Sequence, residues 1–133
     1  MFFVSEKEVN SLDTRSVGNK KEEIACEYLK DKGYSILKRN FSCHFGEIDI
    51  IAKFEHTLVF VEVKYRGNAE HGTPEQAVTS TKRRRIIKTA DYYRVRYQVL
   101  EDVPCRFDVI AITGRDGNIK HFQNAFDYYG EIR

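Results

Sequence analysis

A chain of 133 residues with 22 Lys and Arg against 20 Asp and Glu carries a formal net charge of +2. That is too near neutrality for a globally basic nucleic-acid binder, so any such role rests on local clustering. The length suits one domain with a real core, much of it from Phe and Tyr, and three scattered cysteines without CxxC spacing (Cys26, Cys43, Cys105) read as reduced thiols of a cytoplasmic protein rather than a disulfide scaffold.

Residues 1–16 read as an N-terminal arm ahead of a single domain, 17–133. Met1-Phe2-Phe3-Val4 is apolar only briefly before Ser5-Glu6-Lys7-Glu8, so neither a signal peptide nor a membrane span is expected. A first helix is predicted from about Val17 to Lys32, ended by Gly33. Ile24, Ala25, Tyr28 and Leu29 form its apolar face; the spacing Glu22, Ala25, Leu29 sets Glu22 on the margin of that face, while Glu23 and Glu27 point away.

A strand over Ser35–Phe41 follows, and then two strands with charges set into apolar runs. Ile48-Asp49-Ile50-Ile51-Ala52 and Leu58-Val59-Phe60-Val61-Glu62-Val63-Lys64 are joined by a short polar segment that turns the chain back into a hairpin. Side chains alternate along a strand, so Glu62 and Lys64 emerge with Phe60, and Val59, Val61 and Val63 take the other face. A loop over Phe54–Thr57 sets Asp49 opposite Glu62. Facing carboxylates repel, and a divalent cation between them turns repulsion into coordination. Mg²⁺ fits as a hard ion that takes one or two carboxylates plus waters and phosphate oxygens. Lys64 projects toward the same point, to orient or help deprotonate an attacking water or to neutralise phosphate charge. The competing reading of the same residues is an Asp/Glu/Lys salt-bridge cluster at a sheet edge.

Tyr65–Gly72 reads as a loop at the mouth of such a site. Thr73-Pro74-Glu75-Gln76 then starts a helix, with Thr73 as cap and Gln76 reaching back as in a capping box. A longer helix is expected over about Ser80–Gln98. Ile86, Ala90, Tyr93 and Tyr97 should face the sheet, and Arg85, Lys88, Tyr92 and Arg96 line a separate stripe. Lys82-Arg83-Arg84-Arg85 falls in its first turns, where the helix dipole disfavours positive charge. A nucleic-acid backbone would offset that; a solvated charged face is the other reading. The chain closes with a strand over Arg106–Ile112, expected parallel to Leu58–Lys64, and a short strand near Ile119–Phe122. Asp108 is expected to be structural, paired with Arg106 or a loop donor, with a site role as the lesser reading because it lies in an inner strand. The sum is an α/β sandwich around a mixed sheet.

Several ordered blocks match one family. Gly18 with Glu22-x-x-Ala25, Gly33-Tyr34-x-Ile36-Leu37-x-Arg39-Asn40, Gly46-Glu47-Ile48-Asp49-x-Ile51-Ala52, Val59-Phe60-Val61-Glu62-Val63-Lys64-x-Arg66, Ala77-Val78 with Lys82, and Arg106-Phe107-Asp108-Val109 resemble the YraN family. That bacterial group has a restriction-endonuclease-like fold related to Holliday junction resolvases within the PD-(D/E)xK nuclease superfamily. The resemblance spans about Gly18 to Ile112.

The resemblance implies an α/β/α sandwich with an αβββαβ core and a Mg²⁺- or Mn²⁺-dependent nuclease centre. Asp49 and Glu62 look like the metal-binding acids, the Val63 carbonyl like a further ligand, Lys64 like the catalytic lysine and Glu22 like the first-helix carboxylate that completes such sites. Gln76 sits where related nucleases place a polar residue, a position capping explains equally. Arg66, Lys82, Arg84, Arg85, Lys88, Tyr92 and Arg96 are the candidate nucleic-acid contacts, DNA ahead of RNA, with a homodimer as in related resolvases and no membrane partner. Lys21 stands where a glycine is common, and Ser42-Cys43-His44 where a more basic turn is usual. A DNA-binding accessory protein that keeps the fold without turnover is the alternative function.

Overall fold

The computed structural model describes residues 13–66, 78–114 and 117–132. Its elements run α1 (Asp13–Asp31), β1 (Ser35–Cys43), β2 (Gly46–Phe54), β3 (Thr57–Arg66), α2 (Ser80–Arg96), β4 (Cys105–Thr113) and β5 (Asn118–Phe126). The five strands form one sheet in chain order, antiparallel except where β3 meets β4 in parallel. Helices cover both faces of this mixed sheet. The fold is therefore the α/β class expected, with a helix, three strands, a helix and two strands in succession.

Alternation along β3 decides which helix covers which face. Val59 and Val61 pack with Ile50, Ala52, Ile110 and Ile112 beneath Ala25, Cys26 and Leu29 of α1. Leu58 and Phe60 pack with Ile51, Phe107 and Val109 beneath Ile86, Ala90 and Tyr93 of α2. Glu62 and Lys64 continue the row of Phe60 and so emerge toward α2.

Gly33 ends α1 as expected. With φ +96 it takes a conformation that side chains disfavour, its N–H reaches the Lys30 carbonyl at 3.0 Å, and Tyr34 N–H reaches that of Leu29 at 2.9 Å. The helix starts earlier than predicted, at Asp13, because hydrophobic period cannot mark a first turn made of polar residues. At the other helix Thr79 caps α2, its hydroxyl accepting from Lys82 N–H at 3.2 Å. α2 stops at Arg96; Tyr97, expected to face the sheet, is the cap residue and stays 41% exposed. β3 continues through Tyr65 and Arg66, which were expected in a loop, because they pair with Ile112 and Thr113 of β4. The Thr73-to-Gln76 helix start lies outside the described residues. Among those described, no helix is long and apolar enough to cross a membrane.

Candidate metal and phosphodiester centre

The hairpin register is the one the turn length dictates, Phe54↔Thr57 through to Ile50↔Val61. Continued by one step it sets Asp49 across from Glu62, yet the ladder ends before that step. Beyond it β2 pairs only with β1, and β3 only with β4. The sheet forks there, and the Asp49 side chain takes over from the backbone: its Oδ2 accepts the Val63 N–H at 2.8 Å. In an extended strand the carbonyl of a residue lies on the same edge as its N–H, so the Val63 carbonyl faces the fork as well.

β1 is bent at the same level. Asn40 has φ 53, and the pairs on either side of it, Arg39↔Ile50 and Phe41↔Ile48, leave Asn40 and Asp49 without ladder partners. The bend also breaks the alternation of β2, because Ile48 and Ile51 pack on the α2 face while Ile50 packs on the other. A strand that turns at Asp49 is what lets an acid from α1 approach the same place.

That acid is Glu22. Its carboxyl is raised above the usual range by burial first, against the opposing pull of Arg39 and a hydrogen bond from Asn40, with Glu47 and Glu62 adding negative charge. One oxygen, Oε1, is buried without a hydrogen-bond partner among the described residues. Asp49 is pushed further, to about 8, by burial and then by the charge of Glu62, which also shares a hydrogen bond with it; the Val63 N–H works in the opposite sense and Glu22 adds to the rise. Burial and neighbouring acids thus disfavour the anionic form of both Glu22 and Asp49, a penalty that a cation placed beside them would offset.

Glu62 is only 4% exposed, and two ammonium groups converge on its Oε2, Lys64 Nζ at 3.5 Å and Lys82 Nζ at 3.3 Å. Buried carboxylates require such partners. Lys82, a candidate nucleic-acid contact, also brings its ammonium to the Glu62 carboxylate, with its side chain still 39% exposed. No local pattern carries that signal, because the pair spans β3 and α2; at Asn40 the residue type, which tolerates positive φ, is compatible with the bend.

Among the described residues no three His, Cys, Asp or Glu side chains are drawn close enough to form a ready-made cage. What is present is a pair, Asp49 with Glu62, backed by Glu22 and a strand carbonyl. That donor set fits Mg²⁺ or Mn²⁺, hard ions that use few protein oxygens and complete their shell with water and phosphate.

The remaining candidates divide cleanly. Arg84, Arg85, Lys88, Tyr92 and Arg96 are exposed along α2. The two arginines of that helix outside the predicted set are engaged in the fold: Arg83 donates to the carbonyls of Gly130 and Val78, and Arg94 to Cys105 Sγ and the carbonyls of Val103 and Leu100. The Arg66 side chain and Gln76 lie outside the described residues. Lys21 rests over the Tyr65 ring at 4.3 Å. Asp108 is structural in its contacts, as expected: it is buried, gripped by Arg106 Nε at 3.0 Å and by His121 Nε2 at 2.7 Å, and accepts the Asn124 N–H at 2.9 Å.

A forked mixed sheet between two helices is an α/β fold with a restriction-endonuclease-like core. Comparison with known sequences then gives the particular family. The chain belongs to the uncharacterised protein family UPF0102, whose profile matches residues 21–112, the YraN group indicated by its sequence blocks. A UPF0102 protein of Lachnoclostridium phytofermentans is 50% identical over 113 residues, 85% of this chain and 94% of that one. One from Geobacter metallireducens is 47% identical over 119 residues, 88% and 97% of the two chains. One from Persephonella marina is 46% identical over 110 residues, 83% and 92%.

Proposed function

We propose that this protein is a Mg²⁺- or Mn²⁺-dependent deoxyribonuclease that hydrolyses phosphodiester bonds at the Asp49–Glu62 fork. The observation that carries the reading is a pair of neighbouring carboxyls, half-buried Asp49 and buried Glu62, with Lys64 and Lys82 on Glu62 Oε2, at a point where the sheet opens. Asp49, Glu62 and the Val63 carbonyl would hold the ion, and Glu22 would complete the acid set. A bound divalent ion supplies charge for the phosphate oxygens and lowers the pKa of a coordinated water.

The chain's own residues do the rest. The bend at Asn40 and the Val63 N–H fix the Asp49 carboxyl. Lys64, tethered to Glu62, is within reach of the same space and would orient the attacking water or meet the charge that develops on the phosphoryl oxygens. Lys82 on the same carboxylate oxygen supplies a second positive charge from α2. Exposed Arg84, Arg85 and Lys88 on that helix would hold the DNA backbone, which positions a duplex without reading its sequence.

A second reading, a DNA-binding accessory protein without turnover, is favoured by one observation: Glu62 is already neutralised by two lysines. The test is a panel of single-stranded, duplex, flapped and four-way-junction DNA, incubated with Mg²⁺, Mn²⁺ or chelator. Cleavage that requires the ion and disappears in Asp49→Asn is expected. Equal cleavage by that variant overturns the assignment, and binding with no cleavage of any substrate favours the accessory reading.

A further inference from the structure

The turn between β1 and β2 carries aromatic surface that the hydrolytic centre does not use. His44 is exposed and Phe45 is 39% exposed, their rings 4.0 Å apart. His44 meets Tyr92 of α2 edge-on at 6.0 Å, and Phe41 links Tyr92 to Tyr97 at 6.2 Å from each. Open rings in contact across two elements are unfavourable in water and mark a surface that something covers.

The patch is held in shape. Gly46 has φ +152, and a Cβ there would lie 3.3 Å from Arg85 Cβ and 3.4 Å from Thr89 Oγ1. Glycine lets the turn close on α2 without crowding Arg85 and without the strain a side chain would meet at this positive φ, and so brings His44 and Phe45 beside Tyr92. Thr89 is buried and fixed in turn by its hydroxyl bond to the Arg85 carbonyl at 2.7 Å.

Its surroundings have one predominant sign. α2 carries seven Lys and Arg between Ser80 and Arg96 and a single acid, Asp91. Arg85 and Lys88 are exposed between the Glu62 end of the helix and the rings, with Glu47 the acid near the turn. From Lys82 to Tyr92 the helix rises about 15 Å, which is about four nucleotide steps along one DNA strand.

Resting on the nuclease reading, we infer that the Phe41, His44, Phe45, Tyr92 and Tyr97 cluster is a stacking platform for an unpaired DNA base. The substrate class is then duplex DNA joined to a single-stranded segment, with Arg85 and Lys88 holding the phosphates between the platform and the fork. Bases inside a duplex have no free face to offer, whereas a splayed base of any identity can stack on an aromatic ring, and flanking cations track its backbone. The cationic flank selects this occupant over an apolar protein surface.

The experiment reads binding in chelator, where no metal-dependent cleavage intervenes. A fluorescent duplex with one single-stranded arm is compared with its fully paired counterpart, and 2-aminopurine is placed at unpaired positions near the junction. The wild type is expected to prefer the armed duplex and to alter the 2-aminopurine signal. In the double variant His44→Ala, Phe45→Ala the ratio of the two affinities should fall about fivefold or more, and Phe45→Tyr should keep it. Gly46→Ala, which pushes the turn off α2, should lower the ratio with the rings intact. Equal affinity of the wild type for both DNAs overturns the inference, as does a ratio unchanged in the double variant. So does tighter binding of the same arm as RNA, or a change in self-association with DNA binding untouched. Cleavage is not part of the readout: an active nuclease without the preference loses only the platform, and a preference in an inactive protein loses only the nuclease reading.

Discussion

Asp49 keeps a proton that an exposed aspartate gives up, because burial and the neighbouring Glu62 penalise its charge. Between its ordinary value of 3.8 and its folded value of about 8 the native chain holds that proton and the unfolded chain does not. Protons bound in excess by the folded state mean that stability falls as pH rises. The contribution is fully present below about pH 4 and lost through about pH 8. Urea midpoints measured without divalent ion should therefore decline across that window. Asp49→Asn should flatten the decline, with the remainder due to Glu22, whose shift has the same sign. A midpoint that rises from pH 5 to pH 8 in the wild type and not in the variant would contradict this assignment of the proton. Lys82 gives a second prediction at this scale. Its ammonium is partly exposed and Lys64 shares its partner, so Lys82→Met should cost only about 1 kcal/mol in a thermal or urea melt. Added Mn²⁺ should recover part of the loss, since the ion would replace the missing charge.

The fork is a property of strands rather than of any one side chain. β2 and β3 separate because each continues with a different neighbour, and Asn40 bends β1 at the level where they part. Asp108 shows what a structural acid looks like by contrast. It sits on β4 with every contact to Arg106, His121 and Asn124 made inside the fold. Asp108→Ala leaves a guanidinium and a backbone N–H without their acceptor and should destabilise the chain by about 3–5 kcal/mol. Denaturation checks the size, and cleavage per folded molecule should survive. How much of this was legible depends on range. The hairpin register followed from two period-two runs and a short polar turn, the α1 stop from Gly33, and the parallel placement of β4 from its crossover. Local patterning could not reveal that Lys82 meets Glu62 across 20 positions, that β3 pairs on through Arg66, or that Tyr97 caps α2 instead of packing. Those outcomes are decided by which elements become neighbours. Asp13–Ser16 were unreadable for a different reason, since a polar first turn has no apolar period to follow.

At the scale of the whole molecule a nearly neutral chain divides its charge. Acids gather at the fork, and cations line the exposed side of α2, a separation that gross composition conceals. Exposed Arg85 and Lys88 are the cations through which a phosphate backbone would be felt. Reversing both, Arg85→Glu with Lys88→Glu, should weaken duplex binding and reduce the slope of log affinity against log salt by about two. An unchanged slope, followed by anisotropy over a salt series, would return the helix to a merely solvated face. The salt effect is independent of metal, whereas the cleavage panel presupposes that the fork holds an ion. Titration of Mn²⁺ against the purified protein near pH 8, followed by loss of the free-ion paramagnetic resonance signal, reads that event without DNA or turnover. The wild type should take up Mn²⁺, and Asp49→Asn should lose about tenfold or more in affinity. Uptake by the variant equal to that of the wild type would contradict the assignment of Asp49 and Glu62 as the metal centre.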